Sequence, residues 1–122
     1  MSKIFQIKNL FHQRDADATV DKTTTSAADS LAIPVTHGYV AKTTGADAEA
    51  LTLANGYNGQ ILVVNLVTDG GGDGTLTPAT KTGFTAVVLA DAGDQATLLY
   101  VDDTIGWVLL GAKGKAAPPV TT

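Results

Sequence analysis

The hydrophobic pattern of the chain is centred on residues 60–68, QILVVNLVT. Apolar side chains occupy both alternating sets of positions, and only Asn65 interrupts them. A strand with this pattern has to be covered on both faces. A helix is disfavoured because the run is short and β-branched and leads directly into the glycine-rich segment 69–74. We therefore expect the central strand of a sandwich, or a strand with one face in the core and the other against a partner subunit.

Shorter apolar segments on both sides of this strand predict further strands. They lie at residues 31–35, 39–41, 51–53, 75–78, 84–89, 95–101 and 105–110. Turns separate them, as at residues 55–59, where Asn and Gly supply the positive φ values that turns require. Short strands at this spacing predict an all-β domain over residues 31–112. The expected architecture is an antiparallel β-sandwich, jelly-roll-like, or a small barrel.

The two ends of the chain differ from this domain. Residues 1–30 begin with apolar positions whose spacing fits a helix or a strand equally well, and they continue as a polar stretch rich in Thr, Ser and Asp. This segment is either a frayed terminus or an extended arm that becomes ordered against a neighbouring subunit. Residues 113–122 contain two adjacent prolines and predict a C-terminal tail.

Composition limits the protein class. The chain has 122 residues, of which 44% are hydrophobic and 16% charged, so we expect one folded domain and not a disordered chain. It has no cysteine, which excludes disulfides and thiolate metal sites. No segment approaches the roughly 20 apolar residues of a membrane span, and the N-terminal segment lacks a signal-peptide pattern. We expect no membrane partner and synthesis in a cytoplasm.

The negative charge is concentrated in the predicted domain. The net charge of the chain is −4, but residues 43–112 carry eight carboxylates against Lys81 alone, which leaves −7 in that region. An acidic domain repels phosphates, so nucleic-acid binding is disfavoured. Most of these carboxylates fall in predicted turns, where they favour solubility.

The apolar second faces of several strands predict self-association. A single sandwich buries one face of each sheet, so the surplus apolar side chains need another cover. A bare, uncharged strand would be prone to aggregation, and a homo-oligomer avoids this. The candidate interface residues are Ile61, Val63, Val67, Leu99 and Val101.

Candidate chemistry is sparse. The segment 69–74, DGGGDG, is similar to one copy of a glycine–aspartate calcium repeat, but no stacked copies accompany it, so we expect a flexible hairpin loop. Whether that loop binds a cation stays open at this point. His12 and His37 could meet only across subunits. We therefore predict no catalytic residues, no metal site and no cofactor, and the chain is not expected to be an enzyme.

The aromatic residues suggest one surface candidate. Trp107 alternates with Ile105 and Leu109, which favours burial in the core over a role as a sugar-stacking platform. Tyr57, within the turn NGYNG, is the best candidate for an exposed aromatic side chain.

Three segments carry a family resemblance. GQILVVNLVTDGGGDGTLTPAT, GFTAVVLADAGDQATLLY and IGWVLLG, with the earlier THGYVAKTTGADAEALTLANG, resemble small virion structural proteins of tailed bacteriophages, cyanophages among them. The resemblance covers roughly residues 31–111, in composition and turn order. It implies a head decoration (cement) protein, a β-rich homotrimer bound at three-fold or quasi-three-fold positions of the outer capsid surface. Similar β modules also occur in phage fibres.

The resemblance suggests partners and a location. The expected partners are other copies of the chain and the major capsid protein, on the virion surface after assembly in the host cytoplasm. The candidate capsid-contact arm carries Ile4, Phe5, Ile7, Phe11 and Arg14. The alternative expectation is a phage fibre or a receptor-binding module that recognises glycans through exposed turns such as residues 55–59.

Overall fold

The computed structural model describes residues 23–36, 38–114 and 120–121, and these residues form two β-sheets and no helix. The five-stranded sheet has the order β1-β2-β4-β7-β8, with β1 Thr23–Ser26, β2 Tyr39–Thr43, β4 Ile61–Thr68, β7 Gln95–Tyr100 and β8 Trp107–Lys113. The four-stranded sheet has the order β3-β5-β6-β9, with β3 Glu49–Leu53, β5 Gly74–Pro78, β6 Ala86–Leu89 and β9 Val120–Thr121. The prediction of an all-β, sandwich-like domain is confirmed, and these strands close no barrel.

The hydrophobic core is formed by the inward-facing side chains of the two sheets. On β4, the central strand of its sheet as predicted, Leu62, Val64 and Leu66 are fully buried, whereas the side chains between them face outward. Tyr100 and Trp107 fill one end of the core in an edge-to-face arrangement, with ring centroids 5.2 Å apart. The alternation that predicts the strands therefore also identifies the core, because successive strand side chains point to opposite faces.

Three of the described strand pairs are parallel, so the expectation of a purely antiparallel sandwich needs correction. β1 pairs parallel with β2, β2 with β4, and β3 with β5, whereas the other four pairs are antiparallel. For β2–β4 and β3–β5 the cause is the path of the chain, which changes sheet after each of β2, β3 and β4, so that strands two apart in sequence become parallel neighbours. The connection from β1 to β2 also crosses to the other sheet, where Ala32 bridges to Thr52 of β3.

Several predicted boundaries differ from the observed ones. β1 lies within residues 1–30, the segment assigned to an arm, yet it pairs along its whole length with β2. The segment 31–35 is not a strand, because only Ala32 forms an isolated bridge there, although Ile33 is buried. β9 lies in the segment assigned to a C-terminal tail and pairs with β6.

The glycine-rich segment 69–74 is a packed crossover, so the prediction of a flexible hairpin is wrong. It connects β4 to β5, which belong to different sheets. The Gly72 N–H donates to the Gly45 carbonyl over 2.9 Å, and the Glu49 N–H donates to the Asp73 carbonyl over 2.8 Å. A Cβ atom on Gly72 would lie 1.9 Å from the Asp47 carbonyl oxygen. Glycine is required here because two backbones approach each other directly.

Candidate assembly surface

Among the residues that the structure describes, the outward side of the five-stranded sheet, here called the outer face, is a broad surface of exposed and half-buried side chains. Its side chains are those that alternate with the core residues of β2, β4, β7 and β8. They are Tyr39, Ala41, Thr43, Ile61, Val63, Asn65, Val67, Gln95, Thr97, Leu99, Val108, Leu110 and Lys113. Among these described residues only Lys113, at the end of the edge strand, carries a charge.

Strand register places the apolar side chains of the outer face in contact range of each other. Ile61 on β4 is opposite Leu99 on β7, and Leu99 is opposite Val108 on β8. Val63 is opposite Tyr39 on the other side. Ile61 is 53% exposed and Leu110 is 55% exposed, so the surface is both apolar and accessible. Directly opposite residues in a sheet have side chains close enough to form a continuous patch.

Four of the five predicted interface residues share this surface. Ile61, Val63 and Val67 lie on β4, and Leu99 lies on β7. Val101 follows β7 and is half-buried, and its N–H donates to the Gly106 carbonyl in the turn before β8. The interface itself stays a prediction.

The sequence prediction left out the contribution of β8 and β2. Val108 and Leu110 both face outward because a register shift beside Thr97 places an extra residue in β8. The apolar run around them is a usable signal in the sequence, since a surface edge strand rarely carries so many apolar side chains. The bulge that turns Leu110 outward has no such signal.

A polar pair lies beside the apolar row. The Asn65 side-chain amide Nδ2 donates to the Tyr39 hydroxyl oxygen over 2.9 Å. The Asn65 Oδ1 atom is buried and accepts no hydrogen bond from any residue that the structure describes. A buried polar atom without a partner is costly, so this pair lowers the stability of the sheet at this point.

The turn at residues 55–59 presents Tyr57 on a supported loop. The Tyr57 N–H donates to Gln60 Oε1 over 3.1 Å, and Gln60 Nε2 donates to the Val35 carbonyl over 2.5 Å. Trp107 beneath this loop donates from its indole nitrogen to the Ala54 carbonyl. Tyr57 is 63% exposed and Trp107 fully buried, so the predictions for both aromatic residues are confirmed.

A buried ion pair lies at the opposite end of the core. Lys42 Nζ is 2.8 Å from Glu49 Oε1, and the two side chains are 0% and 2% exposed. Burial alone would raise the pKa of Glu49, but hydrogen bonds from Lys42, Gly45 and Asp29 outweigh it, and the net effect lowers that pKa. All this bonding is internal, and neither side chain is accessible to a ligand.

The described residues offer no metal site. No group of three or more His, Asp or Glu side chains among them is arranged to hold a metal ion. In the glycine-rich segment, Asp69 Oδ1 accepts the Gly71 N–H over 2.8 Å, an ordinary turn contact. His12, His37 and the candidate arm residues Ile4, Phe5, Ile7, Phe11 and Arg14 lie outside the described residues.

One structural finding and three searches complete the description. Among the residues that the structure describes, no helix has the length and apolar character needed to cross a membrane. Searches against protein-family models, curated proteins and solved structures found no match to this chain.

Proposed function

We propose that the chain is a bacteriophage capsid decoration protein, a homotrimer that binds the outer capsid surface and stabilises the coat lattice. The observation that supports this best is the outer face, an apolar and almost uncharged surface on a small acidic domain. Such a surface favours a structural protein that functions in an assembly. The resemblance of residues 31–111 to virion structural proteins is the reason for proposing a phage capsid as the assembly.

The distribution of charge is consistent with a role in assembly. Outside the buried ion pair, the carboxylates of the described residues lie in loops and turns, as at Asp47, Asp69, Asp73, Asp102 and Asp103. Several hold the chain in place: Asp102 Oδ1, for example, accepts the N–H groups of Thr104 and Ile105. The carboxylates in the loops and turns favour solubility, and the faces of the sheets stay free for contacts with other proteins.

The N-terminal segment supplies the proposed contact with the major capsid protein. The chain enters the five-stranded sheet at Thr23, on the edge strand β1, so residues 1–22 precede the domain at a sheet edge. In a homotrimer three such segments act together. Linked weak contacts raise the effective affinity by about 100-fold or more where the geometry allows simultaneous binding.

Deleting residues 1–22 tests this proposal. The deletion leaves β1 and its pairing with β2 intact, so the shortened protein is expected to fold and to form trimers. We expect it to lose co-sedimentation with undecorated capsids of the parent phage, which the full-length chain retains. A full-length variant with Phe5→Ser and Phe11→Ser serves as a matched control for chain length, and it should bind as weakly as the deletion. Undiminished binding of both variants would contradict the role of the arm.

A second candidate function is glycan recognition by a fibre or receptor-binding module. The exposed Tyr57 ring favours it, because aromatic rings stack on sugars and the loop beneath this ring is held by Gln60. A glycan array probed with the full chain and with Tyr57→Ala separates the two functions. Binding that depends on Tyr57 would favour the glycan module over capsid decoration.

A further inference from the structure

We propose that copies of this chain associate through the outer face of the five-stranded sheet, with the row formed by Ile61, Leu99 and Val108 at the centre of the contact. This inference rests on the proposed homotrimer and identifies its interface. In such a trimer the outer faces point toward the common axis, and each face is shared between two neighbours.

The lack of charge on the outer face favours a second copy of this chain as its partner. A charged partner would lose hydration on this surface and find only Lys113, at one end of β8, to pair with. A second copy presents the same apolar and uncharged surface, and therefore loses little hydration on contact. None of the side chains of the outer face is a carboxylate, which limits the repulsion between two acidic chains.

The size of the face fits an interface between copies. Four strands spaced about 4.8 Å apart and about six residues long cover roughly 400 Å². The three faces of a trimer would together bury roughly 1,200 Å², which is near the lower limit for a specific interface. The exposed side chains of Ile61 and Leu110 project from the sheet. The contact area would therefore exceed this value, which treats the face as flat.

The polar pair on the face leaves one donor unused. The Tyr39 hydroxyl oxygen accepts from Asn65 Nδ2, which leaves the hydroxyl proton available for donation. Asn65 Oδ1 is buried, so a neighbouring copy cannot reach it. An acceptor on the neighbouring copy that takes the Tyr39 proton would add to the strength of the contact.

Native mass spectrometry and sedimentation velocity of the full chain and its variants test this interface. Ile61→Asp is the main variant, because its side chain is exposed and the fold should tolerate the change. Leu99→Asp is the second variant, at the centre of the row. The matched control is Thr77→Asp, an exposed position on the outward side of the four-stranded sheet. Circular dichroism and thermal unfolding verify that each variant is folded.

We expect trimers for the unmodified chain and for Thr77→Asp. Ile61→Asp and Leu99→Asp should raise the dissociation constant by on the order of 100-fold or more, because like charges would be buried together. Tyr39→Phe should weaken association by a smaller factor, since it removes only the proposed hydroxyl donor. A trimer that survives Ile61→Asp and Leu99→Asp unchanged, or a Thr77→Asp variant that dissociates, would overturn the assigned interface.

The outcomes separate this inference from the proposed function. If Ile61→Asp stays trimeric and the full-length chain binds capsids, the interface is wrong and the capsid function stands. If Ile61→Asp becomes monomeric but the full-length trimer does not bind capsids, the interface stands and the capsid function is wrong.

Discussion

Lys42 Nζ lies 2.8 Å from Glu49 Oε1 inside the core, and this pair joins the two sheets. Lys42 belongs to β2 of the five-stranded sheet, and Glu49 begins β3 of the other. The same ammonium donates to the carbonyls of Ala27 and Ser30, at 2.9 and 2.6 Å. The second Glu49 oxygen accepts the N–H groups of Asp29 and Gly45. The ion pair therefore holds the segment after β1 against both sheets.

Replacing Lys42 with Met should destabilise the domain strongly. The substitution leaves Glu49 charged and buried without its partner, which costs roughly 3–5 kcal/mol. Chemical denaturation followed by tryptophan fluorescence measures the loss. The double variant Lys42→Met, Glu49→Gln serves as the control, because a neutral amide can still accept the two backbone N–H groups. It should recover part of the stability, and a double variant less stable than Lys42→Met alone would contradict this account.

Acid should weaken the domain through Glu49. Its pKa in the folded chain is lowered from 4.5, so the folded state favours the charged carboxylate. The resulting stability is complete above the unfolded pKa and is lost as the pH falls through the lower, folded pKa. Denaturation midpoints measured from pH 7 downward should therefore drop steeply below about pH 4.5. Glu49→Gln should show a shallower drop, and identical pH profiles for both proteins would rule out Glu49 as the cause.

Gly72→Ala should destabilise the crossover between the two sheets. The new methyl group would lie 1.9 Å from the Asp47 carbonyl oxygen, so one backbone segment has to move. We expect a loss of roughly 1–3 kcal/mol in the free energy of unfolding. The matched control is Gly111→Ala, where nothing lies within 4 Å of the added atom. Urea denaturation measures the free energy of unfolding of both variants. Equal free energies would show that the segment 69–74 is a loose loop and would contradict this account.

Tyr100 should ionise only in strongly alkaline solution. Burial, with the hydrogen bond to Asp103 and the negative charge there, raises the pKa of Tyr100 from 10.0 to about 12. The raised pKa means that the stability from the neutral phenol is present below pH 10.0 and is lost as the pH rises through about 12. A spectroscopic titration of tyrosinate absorbance should show a late component that Tyr100→Phe removes. A titration curve unchanged by that substitution would contradict the buried hydrogen bond.

The sequence predicts the parts of this fold that depend on side-chain alternation. Leu62, Val64 and Leu66 are buried and Ile61 and Val67 are exposed, as the period of two requires. The exposed turn residue Tyr57 and the buried Trp107 follow from the same kind of pattern. Four of the five candidate interface residues fall on one face for this reason, because residues that alternate on paired strands share a side of the sheet.

Features that depend on the path of the chain could not be predicted in this way. Alternation does not show which sheet a strand joins, so the parallel pairing of β2 with β4 had no local signal. Lys42 stands between Ala41 and Thr43, where a lysine normally indicates the solvent side. Its burial depends on Glu49, seven positions further along and in the other sheet. The glycines of residues 69–74 resemble a flexible turn until the opposing backbone at Asp47 is known.

The central claim is that this chain functions as an assembly, and its mass in solution tests that claim most directly. Sedimentation equilibrium of the full-length protein at micromolar concentration should give the mass of three 12.5 kDa chains. A single species at 12.5 kDa over the whole concentration range would contradict the account.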